Sequence, residues 1–205
     1  MAVTIENLVT SGTFSLDGGT WDVDNNVWIV GNDEECVIID SPHDAAAIIS
    51  QVRGRKVKAI LLTHAHNDHI GAAREVAEAV GSPIFLHPED LVLWEQVYPD
   101  TGPDRYHGDG DVFEVGGTAL LAIHTPGHSP GSTCFYLESE GTVFTGDTLF
   151  NGGPGATGRS YSDYPTILTS IRERLLTLPP DTVVRTGHGD NTTIGAEQET
   201  LARTL

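Results

Sequence analysis

The sequence predicts an α/β fold with sheets inside and helices on the outer faces, and three observations carry that expectation. A length of 205 residues, 39% hydrophobic and 20% charged, suits a single domain, 1–205, with a substantial core. Short β-branched and aromatic runs come in groups separated by Gly, Asn and Asp clusters. Helical periodicity appears in a few places only, so the order is mixed and not a strict βα alternation, which favours stacked layers.

The elements follow in order. "VTIENLV", "NNVWIVG" and "ECVIIDSP" read as strands, "HDAAAIISQVR" as a helix with Ala, Ile and Val at helical spacing, and "KVKAILLTH" as a buried strand. "HIGAAREVAEAVG" is an amphipathic helix closed by Gly81, and "SPIFLHP" another strand. Residues 88–110 lack long periodicity and read as a short helix, roughly Glu89 to Gln96, plus a surface excursion positioned to cap a pocket. Strands resume with "DVFEVGGTALLAIHTP", "GSTCFYLE" and "GTVFTGD". "PTILTSIRERLLTLPP" is a helix with Ile167, Leu168, Ile171, Leu175 and Leu176 on one face, "TVVRTGHG" a last strand and "TIGAEQETLART" a last helix.

Composition narrows the function classes. The formal charge of -18, from 29 acidic and 11 basic residues, repels phosphate backbones and anionic lipid, so neither nucleic acid nor a membrane surface is expected as a partner. No apolar run approaches the ~20 residues of a membrane span. The N-terminal stretch "MAVTIENLVTSG" lacks the basic and apolar regions of a secretory signal. Cys36 and Cys134 sit in apolar strand-like runs where a free thiol behaves as a small hydrophobe, and a reducing cytoplasm fits.

"LLTHAHNDHIGA" concentrates imidazoles where a buried strand runs out. His64 and His66 alternate and therefore share a side of an extended strand end, whereas Asp68 and His69 follow as the chain turns into a helix. Imidazole and carboxylate together suit divalent transition metals. A metal site requires further ligands from other strand ends. His128 in "HTPGHSPGS", Asp147 in "VFTGDTLF" and His188 in "VVRTGHGD" each stand in that setting. His43, at a helix start, is expected to cap or face solvent; His87 and His107 flank the excursion; His124 ends a strand in a structural role.

"THAHNDH", "TPGHSPGS", "TGDTLF" and "GHGDNTTIGAE" occur in order and resemble the metallo-β-lactamase superfamily, most closely its glyoxalase II (hydroxyacylglutathione hydrolase-like) branch. The resemblance spans nearly the whole chain and implies an αββα sandwich with a two-metal centre. His64, His66 and His128 would hold one ion, Asp68, His69 and His188 the other, and Asp147 would bridge them. Asp68 would also orient the attacking hydroxide, and Asp40 would support a ligand from behind. The ions are expected to be zinc, with iron or manganese as alternatives. The implied reaction is hydrolysis of a small-molecule thioester or ester. Arg159 matches a basic residue that approaches the substrate thiol in this family; the competing reading pairs it with Asp163. Tyr161 and Tyr164 are placed beside the same pocket. The C-terminal helical domain that contacts glutathione in long glyoxalase II enzymes has no counterpart, which leaves the thiol carrier open. The alternatives are a mononuclear iron persulfide dioxygenase using His64, His128 and Asp147, a lactonase or β-lactamase, and a metal-binding domain without catalysis.

Overall fold

The computed structural model of the chain describes residues 3–202; the end of the last predicted helix lies outside them. The first sheet holds β1 (Thr4–Leu16), β2 (Gly19–Gly31), β3 (Glu35–Ile39), β4 (Lys56–Leu61), β5 (Ile84–Leu86) and β6 (Arg105–Tyr106), in that spatial order. β1 to β3 are antiparallel, and β3 to β6 run parallel. The second sheet is built from β7 (Val112–Val115), β8 (Thr118–His124), β9 (Thr133–Leu137), β10 (Thr142–Gly146), β13 (Val183–Thr186) and β14 (Thr192–Thr193), with β10 and β13 its parallel pair. β11 (Leu149–Phe150) and β12 (Gly153–Pro154) form a small ribbon beside it.

Period-2 alternation sorts the side chains into layers. Trp28 and Val30 of β2, Val37 and Ile39 of β3 and Leu61 of β4 face Leu120, Phe135 and Phe144 of the second sheet. Their neighbours Val27, Ile29, Cys36, Ile38 and Ile60 point the other way. They pack under α1 (Ala45–Val52), α3 (Ala73–Val80) and α4 (Leu91–Val97), through Ile48, Val76 and Trp94. Ile123, Cys134, Val143 and Val184 are covered by α5 (Tyr164–Ser170), its wider turn at Ile171–Leu175 and α6 (Ile194–Ala202). The result is the expected αββα sandwich, and no described helix is long and apolar enough to cross a membrane.

The structure changes the reading in three places. The first two strand runs are much longer than their apolar cores, forming a hairpin of two 13-residue strands turned at Asp17 and Gly18, both at positive φ. The helix expected from Ile70 is split. A single turn, α2 (Asn67–Ile70), precedes α3 because the Ala72 amide goes to the Ser41 carbonyl. The 88–110 segment is not simply a surface excursion: Asp90, Leu93, Trp94 and His107 are buried, and its end joins the first sheet as β6. Both cysteines are free and buried, and burial pushes their thiols up to about 11.

Candidate metal centre

Parallel strands deliver the site, because their C-terminal ends share one edge. The chain leaves β4 through His64 and His66, then turns into α2, which carries Asp68 and His69; all four are buried. β10 ends at Gly146, directly before Asp147, and its neighbour β13 ends two residues before His188. Gly187 has no room for a side chain: a Cβ there would meet Asp147 Oδ1 at 2.3 Å and His69 Cε1 at 2.8 Å. His128 comes from the turn after β8, which Asp90 holds from beneath. That buried carboxylate accepts from the Ala65 amide at 2.9 Å, the Ser129 hydroxyl at 2.8 Å and the Gly131 amide, tying the His66 and His128 loops together.

The side chains fall into two sets that meet at Asp147. The rings of His64, His66 and His128 stand edge to face with centroids 4.7–4.8 Å apart, and His66 Nδ1 lies 3.0 Å from His128 Nε2. In the other set, His188 Nε2 is 3.2 Å from His69 Nε2 and 3.3 Å from Asp68 Oδ2. Asp147 Oδ1 is 3.3 Å from His69 Nε2, and its Oδ2 is 3.4 Å from His188 Nε2 and 3.6 Å from His128 Nε2.

Tethers on the far side of the rings orient three of the histidines. His128 Nδ1 is 2.8 Å from the Ala156 carbonyl and His188 Nδ1 is 2.7 Å from the Asp24 carbonyl. His69 Nδ1 is 2.8 Å from Asp40 Oδ2. These oxygens only accept, so each Nδ1 carries the proton and, in the neutral ring, leaves the Nε2 lone pair facing the cluster. Asp40 is fixed in turn, at φ 60°, by the Thr63 amide at 2.8 Å and the Thr63 hydroxyl at 2.7 Å.

Electrostatics separates the two sets. Burial drives the His64 imidazole well below its ordinary value and that of His66 down to about 3, so both stay neutral. Burial also opposes charge on His69 and His188, but Asp147 and Asp68 overcome it, raising His69 well above its ordinary value and His188 to about 10. Asp147 is held well below the usual carboxylate range against the effect of burial by His188 and His69. The second set therefore demands positive charge. His64 Nε2, His66 Nε2 and Asp68 Oδ1 are buried without a hydrogen-bond partner, a costly state that a cation would relieve. The groups His64–His66–His128, His64–His69–Asp147 and Asp68–His69–His188 each have ligand atoms within 4.8 Å of one another, and together they suggest a dinuclear metal site.

A pocket opens beside the cluster, walled by Phe14, Trp21 and Val23 of the β1–β2 hairpin and by Arg159, Ser160 and Ser162. The Arg159 guanidinium lies over the Trp21 ring, 3.8 Å from its centroid, and does not pair with Asp163, which caps α5 through the Thr166 amide. Tyr161 and Tyr164 do not line this cavity. Both are exposed, Tyr161 at a loop tip with φ 68° and Tyr164 at the start of α5. Segment 88–110 contributes no lining residue either; it acts beneath the loops through Asp90.

Asn25, which no sequence motif marks, brings its amide to the second set from β2; His43 contacts Asn25 Oδ1 at 2.8 Å and does not cap α1, since Asp44 does. No motif marks Phe14 and Trp21 either. Their signal, the Asp17–Gly18 turn, sets them opposite each other across the hairpin. A fourth His/Glu group, His87, Glu89 and His124, lies outside the cluster.

Residues 20–188 match the Metallo-beta-lactamase superfamily, and the chain belongs to that family. It is 37% identical over 183 residues to a "Probable metallo-hydrolase YqgX" of Bacillus subtilis and 34% identical to "Hydroxyacylglutathione hydrolase GloC" of Haemophilus influenzae. Each alignment covers 82% of this chain and 86% of the relative. Among solved structures, it resembles the BLEG-1 B3 metallo-beta-lactamase (32% identity, TM-score 0.79, 93% of this chain and 97% of that one). It also resembles TTHA1623 in a di-iron-bound form (34% identity, TM-score 0.78, 93% and 98%). The chain is thus a metal-dependent hydrolase by family, with its His and Asp cluster at the pocket floor.

Proposed function

We propose that the protein hydrolyses a thioester of a small thiol at a dinuclear centre. His64, His66 and His128 hold one dication, Asp68, His69 and His188 the other, and Asp147 is shared. The observation that carries the reading is the position of the Asp147 carboxylate, whose oxygens reach histidines of both sets. Zinc suits such a donor set, and iron or manganese also accept it; the di-iron form of the similar TTHA1623 is consistent with iron.

Two bound dications would supply hydroxide near neutral pH and polarise the carbonyl under attack. The chain's own residues do the rest. Asp68 offers Oδ1, a buried acceptor without a partner, to orient the nucleophile's proton. Asp40 and the Asp24 carbonyl keep His69 and His188 in one tautomer throughout turnover. Phe14, Trp21 and Val23 exclude water from one wall of the pocket, and Arg159 sets positive charge where a thiol or its carboxylate-bearing carrier would lie. A thiolate leaves readily, so no strong general acid is needed.

The hydroxyacylglutathione hydrolase name of the Haemophilus relative supports a thioester substrate. The free buried cysteines fit a reducing cytoplasm. The test is to reconstitute metal-free protein with zinc and compare S-lactoyl thioesters of glutathione and mycothiol with a homoserine lactone and a β-lactam. Preference for a thioester is expected. One iron per chain with oxygen consumption on a persulfide would replace this reading with the dioxygenase.

A further inference from the structure

Asn25 lies on β2 with 1% of its surface exposed, and its amide is aimed into the second set of ligands. Its Nδ2 is 3.2 Å from Asp68 Oδ2, 3.2 Å from His69 Nε2 and 3.3 Å from His188 Nε2. Those three atoms are themselves separated by 3.2, 3.3 and 3.8 Å. The amide tip is therefore the fourth corner of a near-regular tetrahedron. A tetrahedral shell with bonds of ~2.0–2.1 Å spaces its donors about 3.3–3.4 Å apart, the same spacing.

The two ends of a carboxamide have nearly the same shape and opposite chemistry, and the surrounding hydrogen bonds decide which faces where. Without a cation, an NH₂ group facing the Asp68 carboxylate is a reasonable donor. With a cation among the ligand atoms the same NH₂ would repel it, and only Oδ1 has a lone pair to give. The other end has a partner for either orientation. His43 Nε2, 2.8 Å away, can donate to Oδ1 or, with its proton on Nδ1, accept from Nδ2.

We propose that Asn25 is a ligand of the second metal ion through Oδ1, its Nδ2 turning to His43 Nε2 when the ion enters. This rests on the dinuclear reading above and deepens it by making the two positions unlike. Asp147 is shared; beyond it the first position has three imidazoles, whereas the second has two imidazoles and oxygens from Asp68 and Asn25, a four-cornered set that the shared carboxylate expands to five. Harder ions that favour carboxylate and carbonyl oxygen, manganese among them, are then tolerated at the second position more readily than at the first.

Stepwise titration of the full-length, chelator-stripped protein with Co²⁺ tests this, following binding by calorimetry and coordination by the visible spectrum. Wild type is expected to take up two ions. Asn25→Ala should weaken the second by ~10–100-fold and change its spectrum. The first binding step should be unaltered and so serve as the control for folding. Asn25→Asp keeps the oxygen and should bind the second ion at least as tightly as wild type. If Nδ2 served only to donate to Asp68, Asn25→Ala would leave the visible spectrum of the second Co²⁺ unchanged, overturning the proposal. Two ions at wild-type affinity in both variants would overturn it while leaving the dinuclear reading intact. A wild type that binds one ion would overturn both.

Discussion

Two histidine clusters lie at the same edge of this molecule, and only one has the properties of a metal centre. His87 and His107 follow β5 and β6 just as His64 follows the parallel strand β4, and His124 ends β8 nearby. Yet the His87 and His124 rings stack face to face, 4.0 Å apart and inclined by 13°, so their lone pairs run side by side and do not converge. His124 Nε2 is engaged by the Pro130 carbonyl at 2.9 Å, and the sole carboxylate of the group, Glu89, is exposed and 3.9 Å away. At the centre, the rings of His64, His66 and His128 meet edge to face, tethers hold the far nitrogens of His69, His128 and His188, and Asp68 and Asp147 bring negative charge. Histidine density alone is therefore a poor guide. Convergent lone pairs, anchored tautomers and carboxylates that demand a cation distinguish the two clusters.

The largest effect should separate the clusters outright. Asp147→Ala is expected to lower metal content and reduce hydrolysis by more than ~10²-fold, whereas His124→Ala should leave both unchanged. Elemental analysis with a thioester assay checks it, and loss of metal in the His124 variant would erase the distinction.

Next is Asp90, which supports the first cluster without belonging to it. Asp90→Ala leaves the Ala65 and Gly131 amides and the Ser129 hydroxyl unsatisfied in the interior. It should cost about 3 kcal/mol, read from denaturant midpoints, and lower Tm by about 6–12 °C. A midpoint unchanged from wild type would show that the two loops hold themselves.

The outer cluster should respond to acid instead of metal. Burial lowers the His107 imidazole to about 4 from 6.5. A depressed pKa contributes stability that is present above pH 6.5 and lost as pH falls through 4, on the order of 3 kcal/mol at most. His107→Phe, packed against Phe113 and Phe135, should remove that part of the acid destabilisation. Parallel stability–pH curves for variant and wild type between pH 7 and 4 would contradict it. The smallest effect is expected at the pocket rim. Arg159→Ala should raise KM for an anionic thioester about 3–10-fold with little change in kcat, and an effect confined to kcat would place Arg159 at the reacting atoms.

Much of the centre was legible because its ligands stand immediately after apolar strands. "LLTHAHNDH", "VFTGD" and "VVRTGH" each announce a strand and then a ligand. What stayed hidden acts across space. Asn25 lies mid-strand in "DVDNNVW", where a polar residue looks like an outward position, and only the fold brings its amide to His69 and His188. Asp90 sits in a proline-bounded stretch without periodicity, and it is buried because three donors from two loops converge on it. The hairpin outruns its apolar pattern because glycines and polar residues interrupt that pattern between Thr10 and Asp24, while backbone pairing continues to the Asp17–Gly18 turn. Tyr161 and Tyr164 looked suited to the pocket by proximity to Arg159, but the loop turns their rings outward and leaves Ser160 and Ser162 inside.

The most direct measurement is the metal-to-protein ratio after reconstitution with zinc and removal of excess ion, for wild type, Asp147→Ala and the His87→Ala/His124→Ala double variant. Two ions per chain in wild type and in the double variant, with loss in Asp147→Ala, is the predicted result. One ion in wild type, or a ratio that falls when His87 and His124 are removed, would contradict a dinuclear centre built on His64, His66, His128, Asp68, His69, His188 and Asp147.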